Sequence, residues 1–230
     1  MKNEQEWSLE FDLLWNNIMS DKAPGVNEYE KSVFLTRAEW GVHVALYNGK
    51  LGDSFEETEE LTAYLNSMVS QSKCREASGV QHIVSSSQVF ELPDDCLFRT
   101  LEICKVSVDG CGEMDAVVVP VTQDEFWRTW RNPFKGANER RVLRLSFGET
   151  ESYSSGVEHY NYSELISKYP VTSYVVRYLK KPEPIILADL DEWGASIDGQ
   201  TKPKTCLMPE ALHQTILTEA VKLAKAVWNT

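Results

Sequence analysis

The spacing of apolar residues changes along this chain, and that change limits the folds the chain can adopt. In the first third and again near the C-terminus, apolar residues recur every three or four positions, which indicates amphipathic helices. Between these regions, short runs alternate apolar and polar residues and are bounded by turn-forming residues, which indicates strands. The order predicts an α+β fold with an N-terminal helical layer, a central antiparallel or mixed β-sheet and a C-terminal amphipathic helix.

The same patterns predict three regions. Residues 1–72 form an N-terminal helical subdomain, residues 73–204 a β-rich region, and residues 205–230 a C-terminal helix that packs back on the core. In the first region, Asn27 is predicted to cap a helix, and Glu30, three residues later, completes a capping box. Three local expectations concern the second region: short strands around a serine-rich turn at 80–90, a loop at 148–163, and two strands around KKPEP at 172–190.

Composition indicates a globular protein without a membrane span. The chain has 230 residues, of which 42% are hydrophobic and 25% charged, so it can bury a sizeable core. It contains no apolar run long enough to cross a bilayer, and its first residues lack the pattern of a secretory signal. Its five cysteines are odd in number and include no CxxC pair, which predicts free thiols in a reducing cytoplasm and no metal site.

The charge of the chain is acidic and unevenly distributed. The formal net charge is −12, and the first 70 residues alone carry 13 acidic and five basic residues. Binding to DNA depends on lysine and arginine neutralising phosphates, so this balance disfavours nucleic-acid binding as the main role. It favours solubility and attraction to basic partner surfaces.

No catalytic motif is evident in the sequence. The four histidines are His43, His82, His159 and His213. Glu39 and His43 stand one helical turn apart and are predicted to form a surface pair, and His213 is predicted to form a solvated pair with Glu210. The chain has no GxSxG elbow and no phosphate-binding glycine loop, so neither an enzyme nor a cofactor is predicted.

One basic segment, residues 128–144, stands out from the acidic background. It carries six basic residues against Glu139, with aromatic residues interleaved. The candidate interface or channel residues are Arg128, Trp130, Arg131, Lys135, Arg140, Arg141 and Arg144. Three interpretations remain open: a protein interface, where tryptophan and arginine are enriched, contact with DNA, or an arginine-rich solvated loop over core aromatics.

Several longer phrases carry a resemblance to a known family. The most specific are APGVNEYEKSVFLT and DEFWRTWRNPFKGANERRVLRL, and PEPIILADL and TCLMPEALH add to them. The likeness extends over residues 11–39, 54–69, 118–145, 166–190 and 196–228. In these phrases the chain resembles the head-to-tail connector proteins, or ring proteins, of the neck of crAss-like tailed bacteriophages.

The resemblance implies a role in assembly. Identical subunits would close into a homo-oligomeric ring, expected to be dodecameric like the portal, and would contact the portal and neighbouring neck or tail ring proteins. The ring would extend the DNA channel, with possible non-specific contact to packaged DNA, and would need no cofactor and no membrane. The protein would be made in the host bacterial cytoplasm and act in the virion.

Two other classes of protein compete with this interpretation. A small cytoplasmic hydrolase using His213 or His159 would show a cleft with a histidine hydrogen-bonded to a carboxylate and a nucleophile. A nucleic-acid accessory protein using residues 126–144 would show salt-sensitive DNA binding that weakens when Arg140 and Arg141 become glutamate. Unchanged DNA affinity with blocked assembly would favour the interface instead.

Overall fold

The computed structural model divides the chain into two compact units. The described residues are 2–18, 25–49, 55–153 and 156–228. One unit combines Met1–Met68 with Pro182–Thr230 and is named the helical unit here, and the other, Val69–Lys181, is named the β unit. Helices dominate one unit and strands the other, which confirms the α+β class.

Local sequence determines where a helix of the helical unit begins. The described helices are α1 (Glu4–Ile18), α2 (Glu28–Tyr47), α3 (Phe55–Ser67), α4 (Phe126–Trp130) and α5 (His213–Trp228), and all but α4 belong to this unit. The Asn27 side chain accepts from the backbone N–H of Glu30, and the Glu30 carboxylate accepts from that of Asn27. The predicted capping box is therefore confirmed, and it satisfies two donors at the start of α2.

Apolar residues on three helices meet in one core. On α1 the tryptophan and phenylalanine at every fourth position, Trp7, Phe11 and Trp15, are buried. They belong to the same cluster as buried residues of α2 and α5, among them Leu35 and Ile216. Each large apolar side chain that is fully buried contributes about 1.5–3 kcal/mol, so this core stabilises the helical unit more than helix propensity does.

The segment after Lys181 belongs to the helical unit because hydroxyl groups of α2 hold its backbone. Thr36 Oγ1 accepts from the backbone N–H of Ile185 at 3.1 Å, and one turn earlier Ser32 Oγ accepts from that of Leu187 at 3.0 Å. These contacts take the place of a neighbouring strand. The prediction of a second strand within 172–190 is therefore wrong: the first half forms a strand, and the second half packs on α2.

The β unit is a mixed sheet. Its described strands are β1 (Val69–Lys73), β2 (Arg75–Glu76), β3 (Ser87–Glu91), β4 (Cys96–Val108), β5 (Gly112–Pro120), β6 (Arg141–Tyr153), β7 (Gly156–Ile166) and β8 (Val171–Lys180). They are hydrogen-bonded in the order β1-β8-β4-β5-β6-β7-β3-β2. Neighbouring strands are antiparallel except β5 and β6, which are parallel.

Cys74 closes this sheet into a near-barrel. The strands on either side of it, β1 and β2, stand at opposite ends of the strand order. One stretch of chain therefore pairs with β8 before Cys74 and with β3 after it. The Cys74 N–H also donates to the Tyr174 carbonyl at 2.9 Å, which ties the junction to β8.

The alternation of side chains along β6 divides the β unit into two cores. Val142 belongs to one apolar cluster of the β unit, together with Cys104, Val106 and Tyr174. The next residue along, Leu143, faces the opposite way and packs in a second cluster under α4. The second cluster anchors the segment that connects β5 to β6.

Two local predictions in this unit are wrong. Residues 148–163, predicted as a loop, form most of the β6–β7 hairpin, in which Leu143 pairs with Ile166 and Tyr153 with Gly156. The tyrosine, threonine and valine residues there favour strands, and this preference outweighs the turn tendency of the serines. Residues 80–84 form no strand, because the backbone N–H of Ile83 donates at 2.8 Å to the Glu164 side chain rather than to a strand.

The unit boundaries also differ from the predicted regions. The chain divides after Met68 and after Lys181, whereas the sequence suggested boundaries after residues 72 and 204. Val69–Lys73 is a strand, although it alternates too weakly to be recognised in the sequence. The stretch from Pro182 onward leaves the sheet because Pro182 and Pro184 have no backbone N–H to donate to a strand.

Candidate interface surface

The predicted basic segment lies in the connection between β5 and β6. These strands are parallel, so the chain must cross back over the sheet between them, and α4 forms part of this crossover. Phe126 is buried in the cluster with Leu143 and Leu145. Trp130 packs against the same cluster and stacks on Phe126, with ring centroids 6.3 Å apart. The two rings fix α4 on the sheet.

The loop that follows α4 is built around Asn132 and Gly136. Asn132 Oδ1 accepts from the backbone N–H groups of Phe134 at 2.9 Å and Lys135 at 3.2 Å. The Gly136 N–H donates to the Asn132 carbonyl at 2.8 Å. A Cβ at Gly136 would lie 2.9 Å from the Asn132 carbonyl oxygen and 3.0 Å from that of Trp130, so this close approach requires glycine.

Arg141 closes the loop from the other side. Its Nη1 donates to the Phe134 carbonyl at 2.7 Å, and its own carbonyl accepts from the Asn138 N–H at 2.9 Å. Asn138 Oδ1 in turn accepts from the Arg140 N–H at 2.9 Å. The loop therefore holds a defined shape, and a surface with a defined shape loses less conformational entropy on binding.

This loop and α4 present aromatic and basic side chains to solvent. Phe134 is 86% exposed and Trp127 51% exposed. The Arg131 guanidinium lies 5.8 Å from the centre of the Trp127 ring, within cation–π range. The basic-aromatic surface, as defined here, consists of Trp127, Arg128, Arg131, Phe134, Lys135 and Arg140, all of them exposed.

A shallow cavity borders this surface. Its volume is about 500 Å³, and its basic lining residues are Arg140, Arg141 and Lys168. Val117, which is 66% exposed, contributes an apolar patch to the same lining. An acidic side chain flanked by apolar residues would complement this cavity in charge and in polarity.

The seven residues predicted from sequence take different places in the structure. Arg128, Arg131, Lys135 and Arg140 lie on the basic-aromatic surface. The other three have internal contacts: Trp130 packs under α4, Arg141 holds the loop, and Arg144 ion-pairs with Glu102 inside the β unit.

Sequence reasoning omitted the two aromatic residues of the basic-aromatic surface, Trp127 and Phe134, from the candidate residues. Helical spacing carries the missing signal. Phe126 and Trp130 are four residues apart and share one face of α4, which leaves Trp127 on another face.

The histidines have structural surroundings. Glu39 and His43 are both buried, so the predicted surface pair is wrong: α2 is enclosed where its polarity suggested solvent. His213 is also buried rather than solvated. Its Nε2 lies 2.9 Å from the Met208 carbonyl oxygen and its ring 5.0 Å from that of Trp7, and burial lowers the pKa of His213. The His159 side chain lies outside the described part of the chain.

The described residues lack the features of a metal site and of a membrane-spanning helix. They contain no group of three or more histidine, cysteine, aspartate or glutamate side chains arranged to hold a metal ion. None of the described helices combines the length and the apolar character that a membrane crossing requires.

Aromatic and arginine side chains are enriched at protein–protein interfaces, so this surface is typical of a chain that binds other proteins. The chain belongs to the phage tail ring protein 3/4 family, which matches it over residues 1–230. It is 37% identical over 227 residues to Ring protein 3 of Bacteroides phage crAss001, covering 96% of this chain and 94% of that protein. It is 30% identical over 236 residues to Ring protein 4/5 of the same phage, covering 99% and 94%.

These similarities confirm the resemblance to ring proteins of crAss-like phages. From them it follows that the chain is a structural ring protein and a virion component.

Proposed function

We propose that this protein forms a homo-oligomeric ring in the phage neck, between the portal and the tail, where it extends the DNA channel. The observation that carries the proposal is the similarity to two ring proteins over nearly the whole chain, through both units. The ring is dodecameric in this proposal, to match the portal, and its partners are the portal and neighbouring neck or tail ring proteins. The subunit is made in the host cytoplasm and has no catalytic role, cofactor or membrane contact.

The ring interface in this proposal uses the basic-aromatic surface. A ring of identical subunits needs two different complementary patches, because each copy contacts the next head to tail. The basic-aromatic surface supplies exposed arginines and aromatic rings, which dominate binding energy at many interfaces. The first 70 residues carry 13 acidic and five basic residues. In this proposal, the complementary patch on the next copy lies in this acidic region.

A charge-reversal pair tests this interface. Lys135→Glu with Arg140→Glu changes exposed side chains only, whereas Arg141 also holds the loop and is left in place. Arg177→Glu, at an exposed arginine of β8 outside the surface, is the matched control. Native mass spectrometry of the purified chains measures assembly in solution. Phages mutated at the same codons show whether each variant is incorporated into the virion.

We expect the wild type and the Arg177→Glu variant to assemble alike, and the doubly reversed variant to remain a folded subunit outside the ring. Assembly of the doubly reversed variant at the wild-type level contradicts the interface. DNA binding, measured by fluorescence anisotropy across a salt series, separates the alternatives. Normal assembly with a large loss of salt-sensitive DNA affinity would instead identify the same surface as a nucleic-acid contact.

A further inference from the structure

Two arginines of the β unit converge on one exposed serine. Arg99 of β4 donates from Nη2 to Ser146 Oγ at 2.9 Å, and Arg144 of β6 donates from Nη1 to the same oxygen at 2.8 Å. Arg99 also donates from Nη1 to Ser163 Oγ at 2.7 Å, and Ser163 is fully buried. Contacts from three strands therefore hold the two guanidinium groups in fixed positions.

The acidic side chains described here neutralise only one of these charges. Glu102 lies 3.2 Å from Arg144 Nε and also accepts a hydrogen bond from the Tyr174 hydroxyl. No carboxylate of the described residues lies within ion-pair distance of Arg99, whose hydrogen-bond partners Ser146 and Ser163 are both neutral hydroxyls. Burial lowers the pKa of Arg144, and the charge of Arg99 lowers it further. The cluster therefore carries an uncompensated positive charge.

Two donors of this cluster have no acceptor among the described residues. Ser146 Oγ accepts from both guanidinium groups, which occupies its two lone pairs and leaves its O–H to donate elsewhere. Arg144 Nε is close to Glu102 but poorly aligned with it, and within the described part of the chain it has no hydrogen-bond partner. Ser146 is exposed, so its hydroxyl group is open to an acceptor that enters from solvent.

A cavity gives access to this cluster. Its volume is about 360 Å³, and its polar lining includes Arg99, Ser146 and Asn161. One water occupies about 30 Å³ in the liquid, so a small polyatomic anion and several waters fit together. Leu92 and Phe147 form part of the apolar wall, which strengthens charge-assisted hydrogen bonds by limiting solvent.

We propose that this cavity is a binding site for a small oxyanion, a phosphate or a carboxylate, with Arg99 as its main ligand and Ser146 as a second donor. The planar guanidinium fork matches two oxygens of such an anion, a geometry that chloride cannot use. Arg144 does not line this cavity, but it donates to Ser146 from Nη1 and so helps to hold that hydroxyl group in place.

The test titrates the full-length chain with sodium phosphate, sodium acetate and sodium chloride at equal ionic strength, and follows binding by isothermal calorimetry and by the shift in melting temperature. Arg99→Gln removes the guanidinium, and Arg99→Lys keeps the charge without the fork. Arg177→Gln, at an exposed arginine on the neighbouring strand β8, is the matched control. Circular dichroism without added anion verifies that each variant is folded.

We expect phosphate or acetate to bind the wild type and the Arg177→Gln variant, with binding weakened by roughly tenfold or more in both Arg99 variants. A preference for phosphate identifies a phosphoryl source, and a preference for acetate a carboxylate source. If Arg99→Gln does not fold, the Arg99→Lys variant decides. Equal responses to all three salts, or equal binding by the wild type and the Arg99 variants, overturn the proposal.

Discussion

The carboxyl group of Glu39 allows a quantitative prediction about stability. Glu39 lies on α2 and is 1% exposed, and its Oε1 accepts a hydrogen bond from the Cys206 thiol at 3.0 Å. Within the described residues its Oε2 has no hydrogen-bond partner. Burial raises the pKa of Glu39 from 4.5 to about 7, because the charged form loses its hydration, and the nearby charge of Glu183 adds to this effect.

This pKa difference makes the helical unit less stable as the pH rises. Between pH 4.5 and about 7, the folded chain keeps a proton on Glu39 that the unfolded chain has released. The folded state then binds more protons, so the free energy of unfolding falls with increasing pH. Below this window both states are protonated and the effect is absent. Above it the cost is complete, about 3 kcal/mol, since one unit of pKa difference corresponds to about 1.4 kcal/mol.

The substitution Glu39→Gln removes the titration and nearly preserves the shape. Urea unfolding at pH 4 and at pH 8, followed by tryptophan fluorescence, gives the free-energy difference between variant and wild type at each pH. The substitution also alters the contact with Cys206, and this effect is present at both pH values. It therefore cancels when the free-energy difference at pH 4 is subtracted from that at pH 8. We expect the variant to gain about 3 kcal/mol relative to the wild type between pH 4 and pH 8.

The control for Glu39→Gln is Glu219→Gln, at a glutamate of α5 paired with Lys222 on the helix surface, which tests the effect of removing a negative charge in general. A gain at Glu39 of less than about 1 kcal/mol, or an equal gain in the control, would refute the reasoning that burial of this carboxyl controls the pH dependence.

Two further substitutions test the packing. Leu143→Ala opens a cavity in the core under α4 and should lower the free energy of unfolding, measured by urea unfolding, by roughly 2–5 kcal/mol. The control, Leu207→Ala at an exposed site, should change it by about 0.5 kcal/mol or less. Similar values for both variants would contradict the described core. Gly41→Ala, within α2, should raise the melting temperature and add about 0.5–1 kcal/mol, because an added Cβ meets no atom within 4 Å; a loss of stability would show that the helix is packed at this point.

The parts of the fold that depend on neighbouring residues could be predicted from the sequence. The capping box of Asn27 and Glu30 spans four residues and is visible as a local pattern. The closure at Cys74 could not be predicted, because β1 and β2 are short and polar and their partners lie far along the chain. The β6–β7 hairpin was missed because its residues carry turn and strand signals together.

The candidate site follows the same division. The exposed basic residues within α4 and after it were recognisable by composition alone, and the structure adds the loop geometry that Asn132 and Gly136 impose. The internal place of Arg144 depends on Glu102, which is 42 positions away and on another strand. Burial of Glu39 depends likewise on Cys206, 167 positions away. No local pattern reports such partners.

In the proposed assembly this ring protein is a stoichiometric part of the neck. Quantitative mass spectrometry of purified, DNA-filled virions tests this role most directly, with the portal protein as the internal reference. We expect the protein to be present in a ratio near one to the portal, or near a small whole-number multiple if rings are stacked. Absence from the virions, or a trace amount far below that of the portal, would contradict it.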